Sequence, residues 1–443
     1  MNNSQNSQDQ SPLNRRGFVK TSGAALAGGA LAATLPIGKG VFAASDDKLK
    51  IALIGCGGRG SGAAAQALTT SDQGPVELVA MADAFSDRLD SSLRNLQAQH
   101  GDKVKVTEET KFIGFEAYKK AISLADVVIL ATPPGFRPTH FEEAVRQGKH
   151  VFMEKPVAVD APGVRKVLAA AKVAKEKNLK VGVGLQRHHQ KGYIETIKRL
   201  HDGAIGDITS MRCYWNGAGV WTRPRKPGQT EMEYQMTNWY YFVWLCGDHI
   251  DEQHIHNIDV INWVKNGHPV RAQGMGGRQV RTSKEHGEIY DHHFVEFEYA
   301  DGSRLYSQCR HIPGCWNSVS EYCTGTKGSS EINRYIIRGE NAFRHNGRGD
   351  KNPYQQEHDD LFAAIRNNTE YNEAEYGATS SMSSILGRMC TYTGKMINWD
   401  EAISSEINTM PEILDWDAAT PTKPDADGFY PIAMPGVQPE KFV

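Results

Sequence analysis

An excess of charge of one sign is the first thing this 443-residue chain lacks. Lys and Arg number 50 against 52 Asp and Glu, a formal net charge of −2. So even a balance excludes the basic footprint of a nucleic-acid binder. Cysteine is sparse: Cys56, Cys213, Cys246, Cys309, Cys315, Cys323 and Cys390, seven in all, with no C-x-x-C pair. That excludes a disulfide scaffold and argues against a structural zinc site. No stretch reaches about 18 uninterrupted apolar residues, so no membrane span is expected. At 40% apolar and 23% charged residues, the composition also excludes a disordered or collagen-like chain. There is no internal repeat. The length allows two or three domains, each with a sizeable core.

The first residues are read apart from the fold. A polar stretch to Asn14 leads into Arg15-Arg16-Gly17-Phe18-Val19-Lys20, then an Ala- and Gly-rich apolar run from Thr21 to Ile37, then Val41-Phe42-Ala43-Ala44. Charged region, apolar region and small-residue cleavage site stand in the order of a secretory signal. The paired arginines followed by Phe, Val and Lys resemble the twin-arginine export signal. Residues 1–43 are therefore expected to be a signal peptide cleaved after Ala43, or alternatively after Ala44. The expected location is periplasmic or otherwise exported, with the twin-arginine translocation machinery as a partner. That route carries folded proteins, so it also predicts a tightly held cofactor.

Behind the signal, Leu49 to Ile54 reads as a buried strand, rich in β-branched residues and closed by Gly. Gly55-Cys56-Gly57-Gly58-Arg59-Gly60 follows at once and opens an Ala-rich helical stretch. G-x-G-x-x-G thus sits where a strand becomes a helix. Gly55 permits the tight turn, Gly57 the approach of a pyrophosphate, and Gly60 the packing of helix on strand. A second strand, Val76 to Ala82, ends in Asp83, 23 residues past Gly60; a carboxylate there suits a ribose hydroxyl. No Lys or Arg directly follows Asp83, so NAD is expected rather than NADP. Strands at 126–130, 150–153 and 181–185 alternate with helices at 141–147 and 162–178. This alternation predicts an α/β fold, a doubly wound parallel Rossmann sheet with ligands at its carboxyl edge. Thr132, Glu154, Lys155 and Gln186 fall at such strand ends.

These pieces together resemble the Gfo/Idh/MocA oxidoreductase family. The matching segments are the glycine turn, Ala131-Thr132-Pro133-Pro134 with His140, Gly148 to Pro156 with its Glu154-Lys155-Pro156, Gly203 to Ile208, and His256 to Trp263. The resemblance covers almost all of the mature chain. It implies a second, C-terminal α/β domain on a large open, mainly antiparallel sheet, through which homo-oligomers commonly form. It also implies a small carbohydrate or polyol substrate and no metal. The expected layout is a Rossmann domain at 48–186, a substrate and oligomerisation domain at 187–419, and a Pro- and Gly-rich arm at 420–443. Cofactor contacts fall to Gly55, Gly57, Gly58, Arg59, Gly60, Asp83, Thr132, Pro133, His140, Glu154, Lys155 and Gln186.

Oxidising a carbinol removes a proton and a hydride, and the protein must supply the proton's acceptor. Lys155, at a strand end beside the cofactor crevice, is one candidate. Read as one helix, Gly247 to Asp259 puts His249, Glu252, His256 and Asp259 on a single face, with Ile255, Ile258 and Ile261 opposite. In the family, an acid four positions before a histidine completes the catalytic group, which carries over to Glu252 and His256. The usual acid is Asp; Glu252 is one methylene longer. His256 is then the principal acid–base group, Glu252 its orienter, and Asp259 a support behind them. His249, His254 and His256 invite a metal reading, but on a helix His254 and His256 point apart, and no metal is expected. Between Tyr214 and Trp244, nine of 31 residues are aromatic, against 9% overall. This segment reads as an irregular lid, its rings suited to the CH faces of sugars. Trp221, Trp239, Tyr240, His249, Arg187 and His188 are the expected substrate contacts.

The expected function is that of an exported, NAD-linked oxidoreductase acting on a sugar, polyol or sugar derivative, with its cofactor held tightly. One alternative is a redox-neutral, NAD-dependent glycoside hydrolase working by oxidation, elimination, water addition and re-reduction. A second is a non-catalytic NAD-binding sensor.

Overall fold

The computed structural model describes residues 48–437 and 439–442. The expected signal at 1–43 lies outside them. Two sheets organise the described chain. The first is wholly parallel, built from β1 (Leu49–Ile54), β2 (Val76–Asp83), β3 (Lys111–Ile113), β4 (Val127–Leu130), β5 (His150–Met153) and β6 (Val181–Val183). Its order is β3-β2-β1-β4-β5-β6, so the direction of winding reverses between β1 and β4. A ligand crevice is expected outside the carboxyl ends at that reversal. The strands are near-continuous apolar runs because helices cover both faces; Val127 to Leu130 are all buried.

The sequence placed these elements closely. The fourth helix, Arg137–Arg146, starts earlier than expected, with Pro138 in its first turn. The last strand stops at Val183, since the backbone turns at Leu185 into a 3₁₀ segment, Gln186–His189. The helix Pro353–Asn367 returns to the first sheet and inserts Leu361, Phe362 and Ile365 among Ile51, Leu53, Val127 and Phe152.

The second sheet has nine strands: β7 (Ile208–Gly217), β8 (Arg271–Gly277), β9 (His292–Glu298), β10 (Arg304–His311), β11 (Ser318–Gly325), β12 (Gly328–Glu331), β13 (Ile336–Gly339), β14 (Phe343–Arg344) and β15 (Ile397–Asn398). Their order is β14-β13-β12-β11-β7-β10-β9-β8-β15. All pairs run antiparallel except β7 with β10. Strand β10 alternates strictly: Leu305, Ser307, Cys309 and His311 are buried, while Arg304, Tyr306, Gln308 and Arg310 face outward. The buried face packs on the helices Ile255–Lys265 and Ala374–Thr393. Beyond the short helix Trp399–Ile403 the chain is irregular as far as the 3₁₀ turn Pro439–Lys441. It is nonetheless anchored. Asp160 caps the helix Ala161–Glu176 by accepting from Gly163 N, and its other oxygen accepts from Thr409 N and Oγ1, each at 2.8 Å.

All seven cysteines are free; Cys315 is exposed and the other six, Cys309 and Cys323 among them, are buried.

Histidines are unusually numerous in the interior. Burial holds His140 down to about 3 and His150 to about 4, and holds His254, His311 and His358 well below 6.5. In the unfolded chain these groups regain ordinary values near 6.5, so below that pH the unfolded state binds protons that the folded state refuses. Their contribution is present above pH 6.5 and is lost as pH falls, at about 1.4 kcal/mol per pH unit for each such histidine. His189, raised to about 10 mainly by Asp360 and Glu373 against the opposing effect of burial, is protonated in both states below 6.5 and does not offset the loss. Glu288, raised to about 7 by burial, and the buried Asp251 and Glu357, also raised, take up protons in the folded state over the same interval and offset part of it. The lowered histidines outnumber these acids, so the denaturation midpoint should drop from pH 6.5 to 5. A midpoint flat across that interval would contradict the neutral assignment.

Candidate active site

A cavity of about 540 Å³ opens at the carboxyl edge of the parallel sheet, where β1 and β4 part. Its inner wall is the glycine turn. Gly55 has φ +92°, and a Cβ there would sit 2.5 Å from the Ala131 carbonyl carbon. A Cβ on Gly60 would lie 2.0 Å from Gly55 O. Gly57 and Gly58 face nothing within 4 Å. The turn is thus closed toward the sheet and open toward the cavity, which is the cradle a pyrophosphate needs at the start of the helix Gly58–Thr69. Asp83, at the end of β2, accepts from Cys56 N (2.6 Å) and Phe85 N (2.9 Å) and borders the same space. Burial raises its pKa, and both amides and Arg88 oppose that rise. The residues present fit a dinucleotide.

Arg59 leaves the glycine turn sideways. Its Nε pairs with Glu154 and its other guanidinium arm with Glu357 (2.9 Å), so two acids share one arginine at the cavity edge. Thr132 Oγ1 lies 3.3 Å from His140 Nδ1, and the His140 ring is packed by Tyr118 and Phe136. The fully buried Arg137 donates to the carbonyls of Leu130, Thr132 and Pro156, fixing the end of β4 to the loop after β5. Burial lowers its pKa to about 10. Sequence reasoning missed Arg137, Arg88, Tyr354 and Gln253, all of which line the cavity. For Arg137 the signal was an arginine directly before a helix-starting proline.

On the outer wall, Lys155 Nζ donates to Glu252 O (2.6 Å) and to Glu252 Oε1 (3.1 Å). His256 lines the same wall and stacks on Trp215, with centroids 5.8 Å apart. Burial first, then the charges of Lys155, Arg187 and Arg59, hold His256 well below its ordinary value. The site therefore sets Lys155 and the His256 imidazole on one wall of the cavity, opposite the glycine turn. Trp215, Trp221, Arg223, Met236 and Trp239 complete the outer mouth.

The single-helix reading of 247–259 is corrected. The structure has a short helix, His249–Glu252, a break at Gln253 and His254, and a second helix, Ile255–Lys265. Asp248, with φ +70°, caps the first by accepting from His249 N. The break has a physical cause: His254 turns inward to Ser307 Oγ (2.7 Å) and Cys213 Sγ, while Glu252, Gln253 and His256 keep the cavity side. His249 is consequently buried away from the cavity. Asp259 is also internal, bound by Ser380 Oγ (2.8 Å) and 2.9 Å from His188 Nε2. His188 is sandwiched between Trp263 and Tyr376, and Arg187 is buried against Glu321 (2.5 Å). Both lie outside the cavity lining, as do Tyr240 and Gln186; the latter donates to Tyr354 OH (3.2 Å). The aromatic segment divides: Trp215, Trp221 and Trp239 reach the cavity, whereas Tyr234, Tyr240, Tyr241, Phe242 and Trp244 form a small core of their own.

Two models of one family match the chain in succession. The oxidoreductase-family NAD-binding Rossmann fold spans residues 49–185, and the GFO/IDH/MocA C-terminal domain spans residues 193–331. Together they cover more than half of it. Among curated proteins, an inositol 2-dehydrogenase of Azotobacter vinelandii is 32% identical over 200 residues, 44% of this chain and 52% of that protein. One from Ralstonia nicotianae is 30% identical over 171 residues, 38% of this chain and 44% of that protein. The matches thus span about half the length of these relatives. Among solved structures, the aldose-aldose oxidoreductase of Caulobacter crescentus superposes with a TM-score of 0.61 at 18% identity, covering 80% of this chain and 100% of that one. Apo scyllo-inositol dehydrogenase of Lactobacillus casei gives 0.60 at 20%, covering 80% and 99%. With both family models in order and the parallel and open sheets in place, this chain belongs to the Gfo/Idh/MocA oxidoreductase family.

Proposed function

We propose that this protein is an exported NAD-linked oxidoreductase acting on a sugar, polyol or sugar derivative. The observation that carries the reading is the convergence of Lys155, Glu252 and His256 on the wall facing the glycine turn. Bound NAD would supply the hydride acceptor. His256, neutral, would take the hydroxyl proton of the substrate. Lys155, held by the carbonyl and carboxylate of Glu252, would hold the developing oxyanion or carbonyl oxygen. Trp215, Trp221 and Trp239 would cover the CH face of a ring. The sugar and polyol dehydrogenases among the relatives and neighbours support that substrate class.

Tight retention of the nucleotide is part of the reading. Phe85 and Phe115 line the cavity, and Trp416 from the irregular C-terminal segment packs on both, at 5.2 and 4.6 Å between centroids. A segment laid behind the pocket walls in this way would hinder their opening. Homo-oligomers would form through the outward face of the nine-stranded sheet, where Tyr306 on β10 is 38% exposed.

Lys155→Met should lower kcat/KM by roughly 10²–10⁴-fold with nucleotide still bound, the usual share of a positioned acid–base group. Unchanged turnover on a substrate found by a sugar and polyol panel would remove Lys155 from the chemistry. The products decide between ketosugar formation and the redox-neutral alternative, which would release free sugar from a glycoside with no net NADH. Because His256 is held well below 6.5, kcat/KM should stay level from pH 8 down through 6.5; an acid limb centred near 6.5 would mean the imidazole is not the base. For export, Arg15→Lys with Arg16→Lys should retain the chain in the cytoplasm, and undiminished secretion would refute the twin-arginine assignment.

A further inference from the structure

We propose that Asp248, His249 and His293 form a binding site for a zinc-class divalent cation, separate from the active-site cavity. Asp248 and His249 begin the short helix His249–Glu252; His293 stands on β9, at a distant point of the sequence. The three are fully buried, and one donor atom from each lies within 4.8 Å of the others. Sequence reasoning looked for a metal among His249, His254 and His256. The structure instead joins His249 to a histidine on the sheet.

The arrangement leaves buried ring nitrogens that a cation would satisfy. His249 Nδ1 is 2.8 Å from Asp248 Oδ1, and His293 Nε2 is 3.3 Å from Asp248 Oδ2. Neither contact has hydrogen-bond alignment, and both nitrogens are left without a hydrogen-bond partner. Thr391 Oγ1 lies 2.9 Å from His293 Nδ1 and 3.0 Å from Arg388 O. When the hydroxyl donates to Arg388 O, the proton of the neutral ring is on Nδ1, and Nε2 turns a lone pair toward the Asp248 carboxylate; a cation between them would satisfy both. No lysine or arginine among the described residues is ion-paired with Asp248.

A cation satisfies each of these features. Two imidazole nitrogens and one carboxylate oxygen are a usual donor set for zinc-class metals. The outer contacts also fit: Thr391 fixes the His293 ring, while Tyr392 OH (2.6 Å) and Tyr290 N (3.0 Å) donate to Asp248 Oδ2; Oδ1, which accepts only from His249 N, keeps a lone pair to ligate. Being enclosed, the ion would enter before the fold closes. It would tie the helix that presents Glu252 to β9, without touching substrate.

The test is elemental analysis of the full chain, produced in zinc-supplemented cells, purified without chelator and dialysed. The expected result is close to one equivalent of metal per chain, lost in His293→Gln. Tyr392→Phe, removing an outer contact, should weaken retention against a chelator by roughly 10–100-fold. Metal no higher than the dialysis blank in folded wild-type protein overturns the proposal, as does full metal content in folded His293→Gln. Should that variant not fold, wild-type protein from cobalt-grown cells decides. A cobalt ion held by imidazole and carboxylate absorbs in the visible, and colourless folded protein refutes the site.

Discussion

The contact on which the active site depends is the one between Lys155 and Glu252. Lys155 belongs to the end of the parallel sheet and Glu252 to the first helix of the segment that leads into the open sheet. Nothing in local sequence holds them together: 97 positions separate them. Yet the lysine is fixed twice, by a main-chain carbonyl and by a carboxylate. Bonds to both groups define where Nζ sits as well as its charge environment. The carbonyl is available only because the helix ends at Glu252; an unbroken helix would have directed it along its own axis. The break after Glu252 is therefore part of the site.

That break also marks the limit of what could be read from the sequence. The glycine turn, the strand ends and Asp83 were legible because each is a local signal: a β-branched run, a glycine spacing, an acid at a fixed distance. Glu252 and His256 were legible through the family pattern. The mistaken placements of His249, Asp259, His188 and Arg187 share one origin. Each was assigned from its neighbours in sequence, whereas its position is set by a partner far along the chain: His311 and His293 around His249, Ser380 on Asp259, Trp263 and Tyr376 on His188, Glu321 on Arg187. Periodicity predicts which way a side chain points only while the helix continues. Here His254 is drawn inward by Ser307, and the phase is lost.

The aromatic segment makes the same point from the other side. Its nine rings gave a compositional signal without a direction. Three tryptophans face the cavity, and most of the others close a small core with Phe136, Ile289 and Tyr430. Both uses follow from the same physics. A large ring contributes apolar area wherever water is excluded, and only the fold decides whether protein or ligand supplies the other face.

The proposed export sets an NAD-linked enzyme a supply problem, since the nucleotide is not replenished outside the cytoplasm. Two features of this chain bear on it together. The walls around Phe85 and Phe115 are backed by Trp416, which lies in a stretch with no regular structure of its own. That stretch is held to the parallel sheet's helices by Thr409 on Asp160 and to the aromatic core by Tyr430. To let the nucleotide leave, the pocket wall would have to move against anchors on both sides of it. On the proposed reading, slow release and a reaction that returns the cofactor to its starting state would be complementary demands: the first would keep the nucleotide in place, and the second would keep it useful. A chain that met only one would be spent after a single turnover.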